Sequence, residues 1–214
     1  MILPCLDNQA TFPETDHAFT DPDGLLCYGG DLSVNRLLAA YQLGIFPWYS
    51  ANEPIMWWCP SERMVLFPQQ LHVSKSLKKS IQKLQPQCYF NRNFTTVIHH
   101  CASIPRRDRG TWIHPEMVEA YIKLFEIGHA FCLEVEVNGS LAGGIYGVIV
   151  NDILCGESMF STQTNGSKYA MYGLCQYMKN NNFKLLDCQI HNPHLESMGA
   201  KLISRQEFKS MLPV

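Results

Sequence analysis

The fold of this chain is decided by two apolar stretches, Ile153-Leu154-Cys155-Gly156-Glu157-Ser158-Met159-Phe160 and Phe183-Lys184-Leu185-Leu186-Asp187-Cys188-Gln189-Ile190. Each has the length and apolar content of a buried strand, and the segment from Gly166 to Asn180 between them has the pattern of a helix. A strand, a helix and a second strand in that order predict a βαβ unit with parallel strands. Ligands of such units bind beyond the carboxyl ends of the strands.

Each strand carries one acidic residue near its carboxyl end. Strand alternation would place Glu157 on one face with Cys155 and Met159, and Asp187 on one face with Gln189. A charge in an apolar row is either paired within a core or faces a cleft. Two structural alternatives therefore stay open: Glu157 forms a bridge to a buried Arg or Lys, and Asp187 caps the end of its strand.

The composition is that of an ordinary globular protein, with 46% hydrophobic and 17% charged residues among 214. The sequence has no run of 18 apolar residues and no basic-then-apolar leader, so we expect a cytoplasmic protein without a membrane segment. The nine cysteines are an odd number, are widely scattered and include no Cys-x-x-Cys pair. This usage predicts reduced thiols rather than a disulfide framework.

Charge is distributed unevenly along the chain. Residues 61–110 hold nine basic and two acidic side chains, whereas residues 1–60 hold one basic and seven acidic ones. The concentrated positive charges are Lys75, Lys78, Lys79, Lys83, Arg92, Arg106, Arg107 and Arg109. Such a run is either a solvated helix face or a surface that contacts nucleic-acid phosphates.

The order of predicted elements indicates an α+β fold in two parts. The sign of the charge changes near residue 62, so we expect a small domain over residues 1–62, rich in aromatic residues, Gly and Pro, and a larger domain over 63–214. In the larger domain, strands over 131–137, 141–150 and 153–160 form a meander before the βαβ unit. This order predicts a mixed, mostly antiparallel sheet flanked by helices. Helices are predicted over 33–43, 74–84, 94–101, 115–127 and 166–180, and after the capping box of Ser204 and Glu207.

The sequence gives little support for a metal site. Cys188, His191 and His194 have suitable spacing, but the intervening Asn192-Pro193 loop breaks the geometry and no fourth ligand accompanies them. The chain also contains no Gly-x-Ser-x-Gly elbow and no Walker loop, which argues against a serine hydrolase and a nucleotide hydrolase. We therefore expect no metal and no cofactor.

A helix, a meander and a βαβ unit are the ingredients of the GNAT acyltransferase fold. The chain also resembles the leucyl/phenylalanyl-tRNA–protein transferases in motifs that occur in order from about residue 3 to 212. They are Pro22-Asp23-Gly24-Leu25, Gly29-Gly30-Asp31-Leu32, Leu37-Leu38-Ala39-Ala40-Tyr41, Gly44-Ile45-Phe46-Pro47-Trp48, Trp57-Trp58, Thr111-Trp112-Ile113, Gly143-Gly144-Ile145-Tyr146-Gly147, Cys155-Gly156-Glu157-Ser158-Met159-Phe160-Ser161, Asp187-Cys188-Gln189 and Gly199-Ala200. The chain departs from the family pattern at Cys59-Pro60-Ser61-Glu62-Arg63, Ala130-Phe131-Cys132 and Asn165-Gly166-Ser167-Lys168.

The resemblance implies a reaction and its partners. Leucine or phenylalanine, and sometimes methionine, would pass from its tRNA to the α-amine of proteins that begin with Arg or Lys, marking them for degradation. The amine would attack the aminoacyl ester directly, with no covalent enzyme intermediate. We expect a monomer that binds Leu-tRNA, Phe-tRNA and its acceptor proteins.

The resemblance also implies roles for particular residues. Asp187 and Gln189 would assist deprotonation of the attacking amine. A glutamine amide is too weak a base to hold the proton, so we assign Gln189 to orienting the amine through its carbonyl oxygen, with Asp187 either orienting Gln189 or collecting the proton through water. Glu157 would hold the cationic acceptor.

Further residues are assigned to the bound aminoacyl-tRNA. Trp112 would stack on its terminal adenosine, although a place in the core remains an alternative. An apolar pocket for the transferred side chain would include Met159, Phe160, Phe183 and Leu185. The positive charges of residues 75–109 and Lys168 would contact phosphates, and a solvated position is equally compatible with Lys168.

Two other classes of function stay open. A CoA-dependent N-acetyltransferase would need its pyrophosphate in the loop Gln163-Thr164-Asn165-Gly166-Ser167-Lys168, where Lys168 replaces the small residue typical of acetyl-CoA enzymes. A non-catalytic tRNA-binding module would need only the basic stretch and the aromatic residues.

Overall fold

The computed structural model describes residues 2–7, 11–104 and 112–212. The N-terminal part contains a four-stranded sheet in the order β1-β2-β4-β3 and one helix. Its elements are β1 (Cys5–Leu6), β2 (Leu25–Gly29), α1 (Val34–Gln42), β3 (Phe46–Pro47) and β4 (Met56–Trp58). Ser33 caps α1, since its side chain accepts a hydrogen bond from the amide of Arg36.

The rest of the chain builds a seven-stranded sheet in the order β11-β5-β10-β9-β8-β7-β6. Its strands are β5 (Glu62–Leu66), β6 (Gln87–Phe90), β7 (Ala130–Val137), β8 (Ser140–Val150), β9 (Ile153–Ser161), β10 (Leu185–Gln189) and β11 (Lys201–Ser204). Strands β9 and β10 are parallel, and every other neighbouring pair is antiparallel. The mixed, mostly antiparallel sheet and the βαβ unit are therefore confirmed.

Helices cover both faces of this sheet. They are α2 (Lys75–Leu84), α3 (Phe94–Ser103), α4 (Pro115–Glu126), α5 (Gly166–Asn180), α6 (Pro193–Glu196) and α7 (Arg205–Lys209). On one face, α2 and α5 bury Leu77 and Leu174 against Leu154 and Leu186 of the sheet. On the other face, α1, α3, α4 and the N-terminal sheet share one apolar core with the strands.

The first turn of α5 lies directly against β8 because two glycines meet there. A Cβ on Gly166 would overlap the carbonyl oxygen of Ala142, and a Cβ on Gly143 would lie 2.5 Å from the Gly166 carbonyl carbon. Glycine alone permits this approach. The contact fixes the start of the helix that joins the two parallel strands.

One expected face assignment is wrong because β9 contains a bulge. Tyr146 pairs with Ser158 but Gly147 pairs with Gly156, so Glu157 is an extra residue on its strand. As a result, Met159 packs with the α5 side of the sheet, while Glu157 hydrogen-bonds to α4 on the opposite side. Alternation alone had placed these two side chains on the same face.

A second irregularity interrupts β10. Asp187 pairs with Val65 and Gln189 with Met64, so Cys188 is extra on its strand. Gln189 itself has φ of 64°, in the left-handed region that non-glycine residues rarely adopt. Because Asp187 and Gln189 pair with consecutive residues of β5, simple alternation does not describe how their side chains are placed relative to each other.

The division near residue 62 stays a prediction. Strand β5 begins at Glu62 within the larger sheet, while the N-terminal sheet ends at Trp58. Apolar residues of both parts nevertheless pack in one cluster, which includes Trp57 and Val65. In the described part of the chain, no helix combines the length and the apolar character needed to cross a membrane.

Candidate active site

A cleft of about 950 Å³ opens at the carboxyl ends of β9 and β10, between the larger sheet and the aromatic N-terminal part. Its lining includes Glu157 and Gln189 from the two parallel strands. The position agrees with the rule that a βαβ unit binds ligands beyond its strand ends. The cleft is therefore the candidate active site.

Gln189 and Glu157 are joined across the floor of the cleft. The Nε2 atom of Gln189 donates to Oε1 of Glu157 at 2.6 Å. An ionised carboxylate only accepts hydrogen bonds, so this contact fixes which end of the amide faces Glu157. The Gln189 carbonyl oxygen is left to accept a hydrogen bond from a ligand.

Two tyrosines support Glu157 from the opposite side. The Tyr121 hydroxyl of α4 donates to Oε2 of Glu157 at 3.2 Å, and it lies 2.5 Å from the Tyr41 hydroxyl of α1. Burial raises the pKa of Glu157 to about 7, and the polar contacts with the linked hydroxyls of Tyr41 and Tyr121 and with the Gln189 amide partly counteract that rise. The pKa values of both tyrosines lie well above 10 because of burial and the nearby carboxylate.

Asp187 is completely buried and is paired with Arg63. Nε and Nη2 of Arg63 donate to the two carboxylate oxygens at 2.8 and 2.7 Å, and the Gln189 amide donates to Oδ1 at 2.9 Å. The bridge to a buried cation that sequence left open for Glu157 thus occurs at Asp187. Asp187 holds the backbone of Gln189, and it does not line the cleft.

Arg63 also connects the sheet to the N-terminal part. Its Nη1 donates to the Gly44 carbonyl oxygen at 2.9 Å, and its guanidinium lies over the rings of Phe46 and Phe208 at 4.8 and 4.6 Å. With a relative exposure of 1%, this cation has exchanged water for one carboxylate, one carbonyl and two aromatic faces.

The apolar wall of the cleft differs in part from the expected one. Met159 and Phe160 line it, as expected. Leu185 is buried in the core on the α4 side, and Phe183 packs at the far end of α5 against Tyr177, so neither lines the cleft. Along β10, Leu186 lines the cleft and its neighbour Leu185 faces the other side of the sheet. The wall is completed by Ile145, Met171 and Leu186.

Aromatic side chains form the rim. Trp112 is half-buried, lines the cleft and also packs against the core, and its stacking on a terminal adenosine stays a prediction. Trp48 is 41% exposed and lies 5.6 Å from the ring of Trp58, which also lines the cleft. Trp57, in contrast, is fully buried and donates from Nε1 to the Gly29 carbonyl oxygen.

The predicted phosphate-contacting residues fall into three groups. The α2 lysines are all exposed: Lys75, Lys78, Lys79 and Lys83. Arg92 instead lies at the β6–β7 edge, where Glu134 and Glu136 both pair with it. Arg106, Arg107 and Arg109 lie outside the described residues.

Lys168 lies in the first turn of α5, close to the cleft. The next residue, Tyr169, has its hydroxyl 2.5 Å from the Ser80 hydroxyl of α2. Ser167, the residue before Lys168, lines the cleft. Helix α2, Lys168 and the cleft are therefore neighbours on one side of the protein.

Some of the backbone amides that a pyrophosphate cradle at the start of α5 would use are already occupied within the protein. The Gln163 amide donates to the Ala142 carbonyl oxygen at 3.2 Å, and the Ser167 amide donates to the Ser161 hydroxyl at 2.7 Å. These contacts count against the CoA alternative. Among the residues that the structure describes, no three His, Cys, Asp or Glu side chains converge as candidate metal ligands.

Sequence reasoning missed three residues that hold the site together: Arg63, Tyr41 and Tyr121. Arg63 could have been found as a cation directly before the apolar run 64–67, because a cation at the start of a buried strand predicts a buried ion pair. Tyr121 was visible as a hydroxyl on the apolar side of a predicted helix. Tyr41 was visible in the same way, four residues after Leu37 in the helix predicted over 33–43.

The topology defines a fold class, an α+β protein with a GNAT-like mixed sheet. The structure of FemX has a similar fold, with a TM-score of 0.51 and 10% identity, covering 84% of this chain and 71% of that chain. Residues 65–213 match the family Leucyl/phenylalanyl-tRNA protein transferase, and residues 30–61 match the family Leucyl/phenylalanyl-tRNA protein transferase N-terminal domain. The chain belongs to this leucyl/phenylalanyl-tRNA–protein transferase family and is an aminoacyltransferase.

Full-length relatives carry the same family name. The leucyl/phenylalanyl-tRNA–protein transferase of Pseudoalteromonas atlantica is 49% identical over 207 residues, which are 97% of this chain and 88% of that protein. The enzyme of the same name from Flavobacterium psychrophilum is 49% identical over 208 residues, or 97% of this chain and 98% of that protein.

Proposed function

We propose that this aminoacyltransferase moves leucine or phenylalanine, and sometimes methionine, from tRNA to the α-amine of proteins that begin with Arg or Lys. One observation carries the proposal: a single cleft brings together Gln189, Glu157 and the apolar wall around Met159. Such a product would be a degradation signal of the N-end rule type. A tRNA substrate also supports a cytoplasmic location, and a monomer remains our expectation.

The proposed chemistry requires little activation. An aminoacyl ester is already reactive, and an α-amine with a pKa near 8 is partly neutral at pH 7. The Gln189 carbonyl oxygen would accept a hydrogen bond from the amine and aim it at the ester carbon. Asp187 acts through the backbone of Gln189 and is a positioning residue. Bringing ester and amine together would supply most of the rate enhancement.

The lining of the cleft supports the choice of substrates. The wall of Ile145, Met159 and Leu186 suits an unbranched-at-Cβ apolar side chain, and a shape mismatch there is worth about 1–3 kcal/mol per methylene. Glu157 and Glu53 place carboxylates in the same cleft, which favours a cationic acceptor. Trp112 and Trp48 offer faces for stacking the terminal adenosine.

The exposed lysines of α2 support the proposal of a tRNA surface. Lys75, Lys78, Lys79 and Lys83 carry no acidic partner in their own helix, whose sequence is KSLKKSIQKL. They lie beside α5, whose Lys168 continues the positive surface towards the cleft. Contacts of this kind position the tRNA without reading its sequence.

The test is transfer of radiolabelled leucine from Leu-tRNA to a peptide that begins with Arg and to one that begins with Ala. We expect label in the Arg peptide alone. Gln189→Leu should lower the rate by about 100-fold or more, since it removes the carbonyl oxygen that orients the amine. Gln206→Leu is the matched control on exposed α7 and should transfer normally.

Transfer to neither peptide would reject the proposed reaction, and protection of the protein by acetyl-CoA against thermal unfolding would then favour the CoA alternative. Equal transfer to both peptides would reject the acceptor specificity. Unchanged transfer by Gln189→Leu would reject the role of that residue.

A further inference from the structure

The proposed reaction releases a proton that some group in the cleft must hold. When the amine nitrogen attacks, the N–C bond forms and the nitrogen becomes positively charged. The C–O ester bond then breaks, and the leaving ribose oxygen needs a proton. A base that first takes the proton and then returns it would balance both steps without any other reactant.

Asp187 is poorly placed to be that base. Both of its oxygens are occupied by Arg63, and Oδ1 also accepts from the Gln189 amide. Protonating it would leave the Arg63 charge unpaired in a fully buried position, which is strongly unfavourable. Gln189 is also excluded, because an amide oxygen accepts a hydrogen bond but does not hold a proton near neutral pH.

Glu157 has the geometry that Asp187 lacks. Its carboxylate accepts one hydrogen bond from Gln189 and one from Tyr121, and a carboxylate has about four acceptor positions. Unlike Asp187, it lines the cleft. A ligand amine held by the Gln189 carbonyl oxygen lies next to the carboxylate that the same amide contacts.

We infer that Glu157 is the general base of the reaction, taking the proton from the attacking α-amine and returning it to the terminal ribose oxygen as the ester bond breaks. This inference rests on the proposed function and adds a catalytic role to the carboxylate. The acceptor loses its ammonium proton to solvent before it attacks, which a pKa near 8 allows, and Glu157 takes the proton that the nitrogen still carries after the N–C bond has formed.

The groups around Glu157 fit this role. Asp187 faces it from β10, Tyr121 from α4 and Tyr41 from α1, and Tyr146 of β8 packs edge-on against Tyr121. Arg63 is paired with Asp187 and does not neutralise Glu157. A pKa of about 7 lets Glu157 be ionised at neutral pH and still be basic enough to take a proton. The tyrosines stay protonated and can only donate to it.

The test is the pH dependence of transfer to an Arg peptide, between pH 5.5 and 9, with kcat and KM measured for wild type, Glu157→Gln and Tyr121→Phe. Wild-type kcat/KM, which reports the free enzyme and the free peptide, should rise through two ionisations, one near pH 7 from Glu157 and one near pH 8 from the amine. Glu157→Gln should lose the ionisation near pH 7, and its kcat should fall by about 100-fold or more. Tyr121→Phe removes a hydrogen bond that lowers the pKa of Glu157. In this variant the ionisation of Glu157 should therefore move to higher pH.

A raised KM with unchanged kcat in Glu157→Gln would overturn the inference and leave only a binding role for this residue. An unchanged pH profile in Glu157→Gln would also overturn it. Equal Kd values of wild type and Glu157→Gln for Leu-tRNA show that the variant is folded. Failure of the proposed function is distinct, because wild type would then transfer no leucine at any pH.

Discussion

At the scale of single residues, the site depends on charged groups in unfavourable surroundings. Glu157 is only 8% exposed, and burial raises its pKa from 4.5 to about 7. The folded state therefore binds this proton more tightly than the unfolded state, and stability falls as the pH rises from about 4.5 to 7. A residue that costs stability at neutral pH is typical of a functional site.

Replacing this carboxylate should therefore stabilise the protein in a pH-dependent way. Glu157→Gln keeps the shape and can still accept from Gln189 through its carbonyl oxygen, while its NH2 group donates to the Tyr121 hydroxyl in place of accepting from it. Because the amide cannot ionise, the variant should gain up to about 3 kcal/mol over wild type at pH 8 and little at pH 5. Urea unfolding at the two pH values measures this difference. Glu53→Gln, an exposed lining residue, is the control and should show no such dependence. If Glu157→Gln raised the free energy of unfolding equally at both pH values, ionisation of Glu157 would not be the cause of the stability difference.

At the scale of elements, helical periodicity places the apolar side chains of α2 on one side of the helix and its lysines on the other. Leu77, Ile81 and Leu84 pack against the sheet, and the lysines of the same helix face water. This separation was predictable, because both the apolar and the basic positions follow helical spacing. The bulges of β9 and β10 were not, since an extra residue leaves no trace in a run of apolar letters.

Removing two of these lysines should weaken tRNA binding through phosphates alone. Lys78→Ala with Lys79→Ala should raise Kd equally for Leu-tRNA and Phe-tRNA, and lower the slope of log Kd against log salt by about 1 to 2. The matched control is Lys179→Ala with Lys184→Ala, which removes two exposed lysines at the other end of α5 and its loop. An unchanged salt slope in the α2 variant would remove these lysines from the interface.

At the scale of the whole molecule, one buried ion pair joins the N-terminal part to the catalytic sheet. Arg63 contacts Gly44 and Phe46 on one side and Asp187 on the other. Asp187 in turn holds the backbone of Gln189. The geometry of the reacting amide is thus coupled to the packing of the N-terminal part, although that part supplies no atom to the pair itself.

The negative charge of Asp187 should lower the free energy of unfolding only when Arg63 is absent. Arg63→Met should lower the free energy of unfolding by about 3–5 kcal/mol, because it leaves a buried carboxylate unpaired. Adding Asp187→Asn should recover at least about 2 kcal/mol of that loss, since the amide is neutral and still accepts from Gln189. Lys184→Met, which removes an exposed pair with Asp152, should cost less than about 1 kcal/mol. Strictly additive effects of the two substitutions in urea unfolding would contradict this coupling.

The sequence determined the longer helices, the meander, the βαβ unit, the mixed sheet, the basic helix and the presence of Glu157, Asp187 and Gln189 near one edge. It did not reveal β6, β11 or the strands of the N-terminal sheet. Periodicity, turns and caps are local properties, so they can be read from neighbouring letters. Only the tertiary structure decided that Asp187 pairs with Arg63, that Leu186 rather than Leu185 faces the cleft side, and that Glu157 meets Tyr121. Those contacts join residues between 36 and 124 positions apart and depend on two bulges, and neither long-range pairing nor strand register is encoded by local spacing.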